Sequence, residues 1–232
     1  MTFLLVEKSP ESAGFVGEDK IGSYSSRNVS SVVPRWYADG MSGPSAPGVG
    51  EPSRGLVPAH AELVEHVDRS GAVIEVVTRA RMRAENLRHR SVAIVVTATD
   101  GRLLVHRRAD HKDLFPGWWD IAAGGVVGPG EDYRVAAARE LEEELGIGGV
   151  QLAFLSEASY DDEHARELCH VFAVVHDGPY RFDDGEITEA RLVTPAELAT
   201  LRSEQRFLPG SLSMILPLIE GFTDPARCPP AC

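Results

Sequence analysis

A layered α/β or α+β fold around one core is the class this sequence predicts, and three observations predict it. Short β-branched runs alternate with helical segments from about residue 58 to 222, turn-forming residues punctuate them, and no internal repeat interrupts the series. Strands and helices mixed in this order pack as layers.

The elements follow in order. In "HAELVEHVDRSGAVIEVVTRARMRAENL" two apolar runs flank the turn signal from Asp68 to Gly71. "SVAIVVTA" (91–98), the turn "TDGR" and "LLVHRR" (103–108) predict a hairpin. "KDLFPGWWDIAAGG" supplies a Pro-Gly turn entering an aromatic strand, in which alternation sends one of Trp118 and Trp119 into the core. A helix is predicted next: Val135, Ala138, Leu141 and Leu145 recur at steps of three and four, so they form a buried stripe, and Gly146 ends it. "VQLAFLSEASY" (150–160) and "ELCHVFAVVH" (167–176) predict two strands joined by "DDEHAR", and "EITEARLVT" (186–194) predicts another. Thr194 caps a helix that begins at Pro195 and runs through "AELATLRSE", and "SLSMILPLIEGF" adds an apolar helical segment broken by Pro217.

The termini differ from this middle. Residues 1–57 include "ADGMSGPSAPGVGEPSRG" (38–55), dense in Gly, Pro and Ser without an apolar period, so a disordered or linker segment is expected there, with Met41 an alternative start. Residues 223–232, which hold Cys228 and Cys232, are expected to be a flexible tail. Of three cysteines only Cys169 lies in the middle, so neither a zinc site nor a secreted disulfide framework is indicated. No run approaches about 18 consecutive apolar residues and no signal peptide is evident, which leads to the expectation of a cytoplasmic protein without membrane spans. A net charge of -12 argues against non-specific binding of nucleic acid or an anionic membrane surface. A protein this acidic needs cations or local basic groups to handle phosphates.

The chemistry concentrates in "GGVVGPGEDYRVAAARELEEELGI" (124–147). Glu131 and Asp132 fall at the helix start, where carboxylates suit the positive end of the dipole. Glu140, Glu143 and Glu144 stand at i, i+3 and i+4, on one side of the helix, where like charges repel. The nearest cation in sequence is Arg139. A hard divalent cation is the natural compensation, and a phosphate would complete its coordination.

The pattern Gly125, five residues, Glu131, seven residues, Arg139-Glu140-Leu141, one residue, Glu143-Glu144, one residue, Gly146-Ile147 resembles the Nudix box, with all nine fixed positions filled over 23 residues. The resemblance implies the Nudix fold, an α/β/α sandwich around a mixed sheet, for about residues 58–222. It implies that Glu140, Glu143 and Glu144 bind Mg²⁺ or Mn²⁺ with the Gly125 carbonyl, and that Glu131 pairs with Arg139 to orient them. It further implies hydrolysis of a small-molecule diphosphate, such as a nucleoside diphosphate linked to another moiety, by water attack on phosphorus. The general base is Glu143, Glu144 or a carboxylate from another loop, for which Glu186 and Glu189 are candidates. A homodimer is in keeping with the family.

"LRHRSVAIVV", "LLVHRRADHKDLFPGWWDIAAGGVV" and "VTPAEL" are similar to the Nudix branch that includes type I isopentenyl-diphosphate isomerase and bacterial hydrolase-like proteins. That raises a rival activity, allylic isomerisation. The isomerase requires a cysteine eight residues after the turn proline and a metal-binding histidine two further on; counted from Pro116, those places hold Gly124 and Val126. The intact box also weighs against a module that senses a nucleotide without turnover. Among the remaining polar residues, the basic groups of "HRR" (106–108) and "DHK" (110–112), and Arg88, His89 and Arg90, are candidates to face the same cleft, whereas His164, Cys169 and His170 fit no metal-site spacing.

Overall fold

The computed structural model describes residues 61–219. The expectations for residues 1–57, for the tail 223–232 and for the end of the last apolar segment lie outside the described residues.

The first two runs form a hairpin, β1 (Leu63–Val67) and β2 (Val73–Thr78), a two-stranded sheet of its own. Asp68 closes its turn, accepting from the Ser70 and Ala72 N–H groups through Oδ1. Thr78 then caps the short helix α1 (Arg79–Ala84).

The main sheet is built on β3 (His89–Thr97), β4 (Leu103–Arg108), β5 (Trp119–Asp120) and β6 (Ala123–Val126), followed by α2 (Tyr133–Leu145), and then β7 (Ala153–Asp161), β8 (Arg166–Val175) and β9 (Ile187–Val193). Helices α3 (Pro195–Glu204), α4 (Pro209–Met214) and α5 (Leu216–Ile219) complete the order. Neighbours run β5-β4-β3-β8-β7, with β6 also on β3 and β9 on β4. Only the β3–β8 pair is parallel, so the sheet is mixed.

Alternation along β3 sorts the two faces. Val92, Ile94 and Val96 pack with Ala136, Ala137, Leu141 and Leu145 of α2, while Ala93 and Val95 join Leu198 and Leu201 of α3, Ile215 between α4 and α5, and Ile219 of α5. Helices on both faces bury β3 from Ser91 to Thr97, which is why residues 92–96 are a continuous apolar run. The sandwich expected from the sequence is the one observed.

Three details differ from expectation. The β3–β4 hairpin is splayed: only Thr97 and Leu103 remain in register, because β3 diverges to pair with β6 and β8 while β4 turns to β5 and β9. On α2, Val135 and Ala138 are exposed, and the buried stripe is Ala136, Ala137, Leu141 and Leu145, with Glu144 buried beside it. The phase is set by the i+4 steps from 137 to 145, which turn residues 135 and 138 to the other side. The last apolar stretch is two short helices that meet at Ile215, ahead of Pro217.

Candidate active site

Local chemistry fixes the ends of the site helix. Asp132 caps α2, its side chain accepting from the Arg134 N–H, and Gly146 closes it in the left-handed conformation at φ 67°. The turn before it is tied by Glu131, whose Oε2 accepts from the Gly128 N–H at 2.8 Å.

Arg139 is the hub. It forms a two-point ion pair with Glu131, Nε and Nη2 each at 3.0 Å, and its Nη1 also reaches Glu140 at 2.7 Å and Glu143 at 3.0 Å. A fifth hydrogen bond runs from Nη2 to the Val126 carbonyl at 3.2 Å, tying the guanidinium to β6. Burial works against its positive charge; the Glu131 hydrogen bond and the Glu140 charge overcome that and hold its pKa above the ordinary value.

Glu140 and Glu144 lie under this hub against β6. The Glu144 side chain is buried, with the residue 6% exposed, and its Oε2 accepts from the Gly124 N–H at 3.1 Å. Burial, reinforced by the Glu140 charge, raises its pKa well above the usual carboxylate range. Burial also raises that of Glu140, with Arg139 opposing. Glu140 fits because residue 125 is glycine: a Cβ there would stand 2.4 Å from Glu140 Oε1. Glu143 is the open member of the three, with its side chain 53% exposed.

Among the described residues, no group of three or more His, Cys, Asp or Glu side chains is disposed as it stands to hold a metal ion. Arg139 occupies Glu140 and Glu143 instead. The donor set nevertheless suits a hard cation. A buried carboxylate, Glu144, and the partly buried Glu140 beside it, whose charges oppose each other, would be relieved by Mg²⁺ or Mn²⁺, and oxygen is the ligand both ions prefer.

The rim is basic. Lys112, in the loop after β4, pairs with Glu186, and both act electrostatically on Glu144. Arg79 of α1 acts on Glu140 and pairs with Glu62 at 2.8 Å. Burial lowers the pKa of Arg83, and Arg79 and Arg108 add repulsion while Asp113 opposes it. Sequence reasoning flagged Lys112 and Arg108 but not Arg79 or Arg83, which precede β3 in a short helix with no motif to mark them. Of the two carboxylates considered as bases, Glu186 pairs with Lys112 and acts electrostatically on Glu144, whereas Glu189 on β9 pairs with Arg191 at 2.6 Å. His164 sits edge-on to Phe115 at 5.5 Å, His170 stacks on Tyr133 at 3.6 Å and Cys169 is buried in the core, so none of the three enters the cluster. Arg88 pairs with Asp161 at 2.7 Å, and His89 is buried with Nδ1 3.1 Å from the Leu87 carbonyl.

A helix bearing this carboxylate and arginine constellation, docked on the glycines of a mixed sheet inside an α/β/α sandwich, defines a Nudix-type site. The family model for the NUDIX domain matches residues 87–210. The chain is 40% identical over 157 residues to the uncharacterised Nudix hydrolase YfcD of Escherichia coli strain K12, spanning 68% of this chain and 86% of that relative. It is 42% identical over 149 residues to the uncharacterised Nudix hydrolase PA4841 of Pseudomonas aeruginosa, spanning 64% and 86% respectively. Among solved structures, DR0079 from Deinococcus radiodurans aligns with a TM-score of 0.55 at 26% identity, over 63% of this chain and 92% of that one. The chain belongs to the Nudix family. Among the described residues no helix is long and apolar enough to cross a membrane.

Proposed function

We propose that this Nudix protein is a Mg²⁺- or Mn²⁺-dependent hydrolase of a small-molecule diphosphate, a nucleoside diphosphate linked to another moiety or a similar organic diphosphate. The observation that carries the reading is a carboxylate pair, Glu140 partly buried and Glu144 buried, packed on Gly124 and Gly125. Such an arrangement is costly for the fold unless positive charge arrives with the substrate.

Each group then has a role. Glu140, Glu143 and Glu144 would hold the cation with the Gly125 carbonyl, and the bound ion would supply charge neutralisation for the diphosphate and a lower pKa for the attacking water. Glu131 fixes the Arg139 guanidinium, which sets the positions of Glu140 and Glu143. Lys112 and Arg79, which act electrostatically on Glu144 and Glu140, offer positive charge to phosphoryl oxygens. Water attacks one phosphorus of the diphosphate and gives up a proton to a carboxylate, while the bridging P–O bond breaks and the other phosphate-bearing group leaves with the bridging oxygen. Glu186, which pairs with Lys112 outside the helix, is one candidate for that task, and Glu143 and Glu144 are the alternatives. The functional unit runs from about residue 58 to 222, in the cytoplasm and as a homodimer; light scattering reads the last.

The isomerase reading loses on backbone geometry as well as on residue identity. A Cβ at Gly124 would stand 2.1 Å from the Val92 carbonyl oxygen, so this backbone accommodates no thiol at the position where that chemistry needs one. A nucleotide-sensing module without turnover is the remaining alternative. The test is a panel of nucleoside and isoprenoid diphosphates with Mg²⁺ and Mn²⁺ separately, with Glu144→Gln as control. Metal-dependent release of phosphate or monophosphate, absent in the variant, is expected. Ligand-induced stabilisation without product points to the sensor, and dimethylallyl diphosphate formed from isopentenyl diphosphate points to the isomerase.

A further inference from the structure

Glu65 is a carboxylate in the middle of the apolar strand β1 and is only 8% exposed. It lies ahead of the segment that matches the family, which starts at residue 87. Both its oxygens are used on the other side of the molecule's first turn. Oε2 accepts from Arg90 Nη2 at 2.6 Å, and Oε1 accepts from the Gly130 N–H at 2.9 Å. Arg90, on β3, continues the network: Nη1 donates to the Glu131 carbonyl at 3.2 Å and Nη2 reaches the Gly128 carbonyl at 3.4 Å. Its guanidinium also lies over the Tyr133 ring, 5.2 Å from the centroid.

The turn at 128–131 is thus held from both ends. Glu65 and Arg90 hold its backbone from the hairpin side, and Glu131 closes it from within through the Gly128 N–H. Gly130 adopts φ +69°, a conformation favoured by glycine, which leaves the turn little intrinsic preference of its own. The carboxyl of Glu131 leaves this turn to grip Arg139, and Arg139 reaches Glu140 and Glu143. Any drift of residue 131 moves the guanidinium, and with it two of the three carboxylates.

We propose that Glu65 is a positioning residue for the carboxylate cluster: with Arg90 it clamps the 128–131 turn, so that the β1–β2 hairpin outside the family-matched segment is part of the catalytic apparatus. The hairpin does more than cover the core. It sets the geometry in which Glu140 and Glu143 meet the cation, and the inference rests on the reading of α2 as the cation-binding helix. A charge-assisted pair with both partners shielded is suited to this, because each carboxylate oxygen has one fixed direction to serve.

The test compares wild type, Glu65→Gln and Glu65→Ala. Glu65→Gln keeps an acceptor for the Gly130 N–H but loses the ion pair; Glu65→Ala loses both. Three readouts are taken: amide exchange at Gly130 and Glu131 in metal-free protein, Mn²⁺ binding by electron paramagnetic resonance without substrate, and kcat and KM at saturating metal. Expected in Glu65→Ala are faster exchange at 130 and 131, Mn²⁺ binding weakened by roughly tenfold or more, as for other residues that orient ligands, and a fall in kcat with KM little changed. Glu65→Gln should fall between. Should Glu65→Ala fail to fold, Arg90→Gln removes the same pair from the other side and must weaken Mn²⁺ binding likewise. Unchanged exchange, or Mn²⁺ binding equal to wild type, overturns the clamp. Wild type that binds no Mn²⁺ overturns the cation reading itself, which is a different outcome from wild-type binding retained by the variants.

Discussion

His106 and Asp120 face each other in register across β4 and β5, and both are buried. Burial pushes the imidazole down to about 3, with Arg108 and Lys112 adding repulsion, and burial pushes the carboxyl up to about 6. The two have opposite linkage. Below about 6.5 the unfolded chain protonates His106 and the native state does not, so stability falls on acidification until about pH 3. Between 3.8 and about 6 the native state holds the Asp120 proton and the unfolded chain does not, so stability rises on acidification. From pH 6 to 4 the effects oppose, and Asp120→Asn removes the compensation. Urea unfolding at both pH values should show the variant losing roughly 2 kcal/mol more than wild type over that interval, at about 1.4 kcal/mol per unit of linked titration. Equal losses would show that Asp120 ionises in the native state like an exposed carboxyl. At the same scale, Arg139→Lys keeps a charge but cannot make the two-point pair with Glu131 while serving Glu140 and Glu143, so kcat should fall roughly 10- to 100-fold with the melting temperature little changed. The box residues were legible because their charge repeats at helical spacing against every ordinary stabilising rule. Glu65 was not: a lone acid in "LVEHV" reads as the solvent face of a strand, and only Arg90 and the backbone N–H of a turn 65 residues later explain its burial.

At the scale of elements, α2 shows why motif and packing come apart. Its C-terminal stripe, Leu141 and Leu145, and its stop at Gly146 follow from periodicity and the left-handed cap. Its N-terminal half does not, because small alanines at 136, 137 and 138 give no hydrophobic contrast and tertiary contact decides which face the core. The β3–β4 pair teaches the same lesson for strands: local turn chemistry predicts the hairpin, but partners distant in sequence pull its strands apart. A buried carboxylate, Glu144, beside the like-charged and partly buried Glu140 should make metal-free protein less stable than it needs to be. Glu144→Gln is therefore expected to raise the melting temperature without metal, while removing the stabilisation Mg²⁺ gives wild type, about 2.7 kcal/mol at a hundred times the dissociation constant. A wild-type melting curve indifferent to both Mg²⁺ and chelator would contradict that account of the helix.

For the whole molecule, the layered class was legible because strand alternation and helix period survive in a single sequence, and the sandwich follows once β3 is seen to be apolar on both faces. The contribution of the N-terminal hairpin was not, since it depends on side chains that cross from β1 to the turn before α2. Arg79 of α1 and Lys112 of the loop after β4 act on carboxylates of α2, so an acidic chain presents local positive charge beside them. The most direct test of the central claim is hydrolysis of a diphosphate from the panel in ¹⁸O-labelled water with Mg²⁺, followed by mass analysis of the products. The account predicts one ¹⁸O on a product phosphate, formed only with divalent metal and lost in Glu144→Gln. Metal-independent turnover, equal turnover by Glu144→Gln, or label found on carbon would contradict it.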